Sequence, residues 1–162
     1  MRKAALERQE MDRFARYWER LYQALPDARR QAAQAMGAAV KKDLNVQIQA
    51  ADLESSAKGS VRSWQAARIG SKGGYAAVSP IKGTVWSKDR RSGGWKMRQH
   101  TYKGKPVTAK QVTRWLERGH GTPAGGYVKG RQFYSFTRAK AWEHARKAAD
   151  KVLSAIADEV DF

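Results

Sequence analysis

The stretch Trp115-Leu116-Glu117-Arg118-Gly119-His120-Gly121-Thr122, followed by Phe133-Tyr134-Ser135-Phe136, decides how the rest of the chain is read. Thr108 offers a hydroxyl cap for a short helix through Arg118, with Val112, Trp115 and Leu116 on one face. Gly119 supplies the stop, because glycine enters the left-handed region without a Cβ penalty. Gly121, Pro123, Gly125 and Gly126 then predict a loop, with a last strand at either Tyr127 and Val128 or residues 132–134. The aromatic run leads into the clearest helix of the chain. In it Trp142, Ala145, Ala149, Val152, Leu153, Ile156 and Val160 form a stripe opposite Glu143, Arg146, Lys147, Asp150 and Asp158. Trp115, Glu117, Gly119, Gly121, Phe133 and Phe136 are therefore expected to build a structural corner that anchors the final helix to a sheet.

Upstream, Phe14, Tyr17, Trp18, Leu21, Tyr22 and Leu25 recur at three- and four-residue intervals and predict an amphipathic helix over residues 6–25. Pro26 has no N–H and disfavours helix at Leu25, so that helix should stop there, with Asp27 capping the next. The second helix carries Ala28, Ala32, Ala35, Met36, Ala39, Val40, Leu44 and Ile48 at helical spacing, and its small residues imply close approach of a partner. Leu44, Val46 and Ile48 also alternate as a strand would; continuity extends the helix to about Gln49.

Between residues 51 and 107, glycines punctuate short apolar and aromatic runs, which predicts antiparallel strands at 61–69, 75–78, 84–87 and 95–101. Residues 88–94 read as a basic hairpin tip, mobile until a partner orders it. With a period of two, Trp95 and Met97 should face the core and Lys96 and Arg98 outward. The expected class is α+β. An antiparallel sheet of three to five strands is packed by a long helix from the N-terminal half and a long C-terminal helix, with an extra N-terminal helix. Residues 1–162 form one domain, comprising that helix at 1–25 and a body at 26–162 with basic Gly-rich loops at 70–74, 88–94 and 119–131.

A chain of 162 residues can bury a core without staples, and it has no cysteine for disulfides or a zinc finger. Met1-Arg2-Lys3 does not begin a signal peptide, and no run approaches the ~20 apolar residues of a membrane span, so a soluble cytoplasmic protein is expected. The formal charge of +17 is unevenly placed. Residues 1–26 carry six basic and four acidic groups, residues 27–54 four of each and residues 135–162 five of each, whereas residues 55–134 carry seventeen basic groups against Asp89 and Glu117 alone. Such a field favours a polyanionic neighbour, nucleic acid or an acidic protein surface.

Catalytic constellations are weak. His100, His120 and His144 have no second His or Cys at ligand spacing, and no cofactor motif appears. Glu117 and His120 stand three apart, but Gly119 should end the helix that would align them, so a structural role outweighs acid–base chemistry. Basic residues interleaved with Trp64, Tyr75, Trp86, Trp95 and Tyr102 suit single-strand binding, unless those aromatics are the core of the sheet. The candidate contacts for DNA or an acidic partner are Lys72, Lys82, Lys88, Arg90, Arg91, Lys96, Arg98, Lys103 and Lys105.

The layout resembles the tail-component family of tailed phages that includes the lambda minor tail protein Z. Residues 21–25, Pro26 and the alanine-rich segment at 32–44 resemble its N-terminal half, and Gly59-Ser60-Val61-Arg62-Ser63-Trp64 its Gly turn and strand. Leu116-Glu117-Arg118-Gly119, then Gly121-Thr122, then Phe133 or Phe136 ahead of Ala139 and Ala141 match its most recognisable stretch. The chain departs from the family in the interposed His120-Gly121 and in lacking a proline within residues 132–138. The resemblance implies a non-enzymatic virion protein without cofactor, a tail-completion or head–tail connector (neck) component. Its subunits would assemble in the host cytoplasm into a ring, expected to be hexameric, around the DNA path. Neighbouring connector and tail proteins would be its partners, and the basic segment would face the DNA channel or an acidic neighbouring ring. A free, non-sequence-specific nucleic-acid-binding protein is the alternative.

Overall fold

A computed structural model describes residues 2–81, 83–91, 94–122 and 124–159, without the side chains of residues 2–9, 56, 86–91 and 94–98. Helix α1 spans Arg2–Ala50 and α2 Ser55–Trp64; β1 (Gln65–Ile69), a 3₁₀ turn and β2 (Ala76–Pro80) follow. Then come β3 (Trp86–Arg91), β4 (Gly94–Gln99), β5 (Thr101–Tyr102), β6 (Lys105–Pro106), α3 (Ala109–Arg118), β7 (Gly119–Gly121), β8 (Tyr127–Lys129) and α4 (Phe133–Glu159). The mixed class and the two long helices agree with expectation.

The sheet of three to five strands does not form among the described residues. The strands pair instead as four separate antiparallel ladders, each joining sequence neighbours. Strands of two to six residues close locally on their own turns and leave no long edge for a third strand. Three backbone bonds stitch two of the hairpins together. Val85 N–H donates to the Val107 carbonyl (2.8 Å), Val107 N–H to that of His100 (2.8 Å), and His100 N–H to that of Val85 (2.9 Å).

Pro26 does not end a helix. It lies inside the 49-residue α1, so Asp27 is a helical residue and no cap, and the extra N-terminal helix is the leading part of α1. The ring of Pro26 removes the N–H that would reach Tyr22, but this turn is solvent-facing and the released carbonyl can be hydrated, while good helix formers continue on both sides. The segment 61–64 also differs from the expected strand: it is the last turn of α2, and β1 starts only at Gln65. Val61 and Trp64, three apart, share a helix face directed at the core, a spacing that alternation alone misreads. Strand pairing extends from Trp86 opposite Gln99 to Arg91 opposite Gly94, so most of the expected loop at 88–94 is ladder. The inward or outward setting of Trp95, Lys96, Met97 and Arg98 concerns side chains outside those described.

The core centres on Leu44, Ile48, Val61 and Phe133, with Trp64, Val78, Leu116 and Tyr134 against it. Within α1 the helical reading prevails over the strand reading: Leu44 and Ile48 are buried four apart and Val46 is exposed. The β1–β2 hairpin approaches α1 at Gly37, where an added Cβ would stand 3.2 Å from Ala67 Cβ and 3.3 Å from Ala76 Cβ. Helix α4 runs antiparallel to α1, tied by His144 Nδ1 and Asp43 Oδ2 at 2.8 Å. Its buried face is Phe133, Thr137 and Ala145, whereas Trp142 and Leu153 of the expected stripe remain exposed. Fifteen residues beyond His144 the described helix ends at Glu159, and fifteen residues before Asp43 stands Ala28, the first buried residue of α1 whose side chain is described. The part of α1 before Ala28 is thus an arm, about 40 Å long at 1.5 Å per residue, and Pro26 marks where it leaves the body.

Candidate assembly surface and structural corner

The corner forms as local chemistry dictates. Thr108 caps α3 through a reciprocal box: Gln111 N–H donates to Thr108 Oγ1 (3.2 Å), and Thr108 N–H donates to Gln111 Oε1 (2.9 Å). Gly119 ends the helix at φ +84°. Of the two candidate last strands, Tyr127 and Val128 form β8, which pairs with β7 across residues 119–121; residues 133 and 134 are already helical.

Glu117 has a definite task. Its Oε2 accepts from Tyr134 N–H (2.9 Å) and its Oε1 from Ser135 N–H and Ser135 Oγ (3.1 Å each). The two backbone N–H groups are orphan donors of the first turn of α4, where the helix dipole also favours a negative charge. The carboxylate so engaged makes no hydrogen bond to His120, whose ring lies instead 5.7 Å from Trp115, itself 5.4 Å from Tyr102. Arg131 closes the corner from outside, donating from Nε to the Asp52 carbonyl (2.7 Å) and from Nη1 to that of Lys129 (2.8 Å).

Tyr134 joins the corner to the core. Its hydroxyl donates to Gln65 Oε1, and buried Gln65 donates from Nε2 to the Val61 carbonyl (2.9 Å). Burial first, and then the Glu117 carboxylate, push the Tyr134 hydroxyl up to about 12. An unfolded tyrosine ionises near pH ~10. The stability this group contributes is therefore complete below that pH and is lost as pH rises through 10 to 12. Urea midpoints taken across that window should fall more steeply for the natural chain than for Tyr134→Phe; parallel slopes would contradict the assignment.

The predicted basic contacts fall into separate places. Lys72, at φ +58° in the 3₁₀ turn, joins Arg29 and Arg30 around an open hollow of about 690 Å³ bounded by Leu25 and Gly73. Lys88, Arg90, Arg91, Lys96 and Arg98 share the β3–β4 ladder, with Lys96 opposite Asp89; their side chains, and Lys82 altogether, lie outside the described residues. Lys103 lies in the β5–β6 turn, where it and Gly104 both have positive φ, and Lys105 follows the turn; Lys103 Nζ stands 5.7 Å from the Tyr102 ring centroid.

A second basic group escaped the sequence reading. Lys110, Arg114 and Arg118 are exposed at four-residue spacing along α3 and line a cleft of about 720 Å³ with Ser79 and Ser135. None of the three has an ion-pair partner among the described residues, and Glu117 beside them is engaged by α4. The spacing was available in the sequence as a helical charge stripe. No helix among the described residues is long and apolar enough to cross a membrane. Comparison with family models, curated proteins and solved structures finds no match.

Proposed function

We propose that this chain is a structural subunit of a tailed-phage virion, a tail-completion or head–tail connector component that assembles into a ring around the DNA path in the neck or at the tail top. In this reading it works by contact and not by catalysis, it needs no cofactor, and it is assembled in the host cytoplasm. The observation that carries the reading is the arm: a helix that continues beyond its own body with large apolar side chains in water is a subunit that neighbours complete. The corner supports it as well, because its polar groups are spent on holding α4. The resemblance of residues 116–122, with Phe133 or Phe136 ahead of Ala139 and Ala141, to the tail-component layout supplies the particular assembly. Light scattering and electron microscopy of the purified chain, and its presence in purified particles, test the proposal; a monomer absent from virions defeats it.

The cations of α3 and of the hairpins favour a second reading, non-sequence-specific nucleic-acid binding. Phosphate contacts release counterions, so duplex affinity should fall with salt at a log–log slope of about −0.9 per phosphate engaged. Replacing Lys110, Arg114 and Arg118 together by Gln should reduce that slope by roughly two to three units. Salt-independent affinity would instead assign the basic segment to an acidic protein neighbour.

A further inference from the structure

The arm has a defined apolar seam. At 100° per residue, Met11, Trp18, Tyr22 and Leu25 fall within an arc of about 60°, and they are 67%, 52%, 77% and 51% exposed. Phe14 and Tyr17 set their rings edge-on to Trp18 at 5.9 and 5.8 Å, which stiffens the middle of the stripe. Arg13, Arg16 and Arg20 occupy the opposite face, and Asp12 and Glu19 lie on the flank between the two.

We infer that this seam is the contact for the arm of a second copy of the same chain. Three features select that occupant. First, Met11, Phe14, Trp18, Leu21 and Leu25 alternate at intervals of three and four, and the same series continues through Ala28, Ala32 and Ala35 into the part of α1 that packs within the body. A seam whose Ala28 and Ala32 are buried in the body thus runs on into the arm, beyond the last described residue of α4. Second, residues 1–26 carry six basic groups against four acidic ones, so two arms meet with little repulsion; the segment with seventeen basic groups against two lies in the body. A polyanion would find its attraction in the body, not on the arm. Third, the area suffices. Four large side chains from each copy bury on the order of 1,000 Å² in total, near the lower bound of a specific interface.

The inference rests on the ring reading only in taking the chain as a homo-oligomer, and the two can fail separately. Full-length protein is measured by light scattering over a range of concentration and salt. The expected mass is at least twice the 18.2 kDa of one chain, and association should strengthen with salt as repulsion between the basic bodies is screened. Trp18→Asp combined with Tyr22→Asp should return the mass to a single chain without moving the thermal midpoint of the body, because neither residue is in the core. Arg20→Asp, on the opposite face, should still associate. A natural chain that stays monomeric at every concentration and salt overturns the inference, as does a double variant that associates like the natural chain. Arm-dependent association without rings in micrographs upholds the inference and defeats the ring reading; rings that persist in the double variant do the reverse.

Discussion

Gly130→Ala should lower the unfolding free energy by about 3 kcal/mol or more, with urea denaturation as the measurement. A Cβ at Gly130 would overlap the Glu117 carbonyl oxygen and stand 2.5 Å from Arg118 C and 2.7 Å from Gly119 N. All three are backbone atoms, so no rotamer change relieves the contact. Across the crossing, a Cβ at Gly119 would stand 2.5 Å from the Val128 carbonyl oxygen and 2.8 Å from Gly130 N, at φ +84°. Two backbones pass each other here with no room for a side chain on either. Relief requires the segment between β8 and α4 to move off the end of α3. That movement would stretch the bonds from Arg131 N–H to the Leu116 carbonyl (2.7 Å) and from Gln132 N–H to the Glu117 carbonyl (3.1 Å), and it would draw Glu117 away from the first turn of α4. Gly59→Ala is the control. That position is inside α2 with nothing within 4 Å, and alanine there should stabilise by about 0.5–1 kcal/mol. Equal stability of Gly130→Ala and the natural chain would refute the crossing.

The corner shows which parts of this structure were legible. The Thr108 cap, the Gly119 stop and the helical run of α4 are determined by residues within one or two turns, and each was readable from spacing alone, although Trp142 and Leu153 of the expected stripe lie exposed. What Glu117 does was not, because its partners lie seventeen and eighteen residues onward and meet it only once β7 and β8 have folded back. Distance hid the same kind of fact at Gly37, whose small size is used by Ala67 and Ala76. Pro26 misled for a different reason. The interior penalty of ~3 kcal/mol is a local term, and packing of the alanine face on the body, together with long runs of helix formers on both sides, outweighs it. The split of residues 51–107 into three ladders and not one sheet depends on which strand edges meet, and a single sequence does not encode that in any local period.

Phe133 and Phe136 were expected to anchor α4 together, and the structure separates them: Phe133 is 0% exposed and Phe136 is 57% exposed. Three residues apart on a helix places them about 60° short of a full turn, enough to carry one ring into the core and the other into water. Phe133 closes a cluster with Leu44, Ile48 and Val61, contributed by α1, α2 and α4, while Leu116 of α3 and Val78 of β2 pack on its rim. Phe133→Ala would leave a cavity shared by five elements, none of which can collapse without leaving another contact. The expected loss is about 3–5 kcal/mol, large against the 5–15 kcal/mol that holds an ordinary domain together. Should the variant fail to fold, Phe133→Leu should fold and lose about 1 kcal/mol. Phe136→Ala, by contrast, should change the stability of the isolated chain by less than about 0.5 kcal/mol. Chemical denaturation of the three variants at one protein concentration measures the difference, and a Phe136→Ala loss as large as that of Phe133→Ala would show that the anchor has been assigned to the wrong ring.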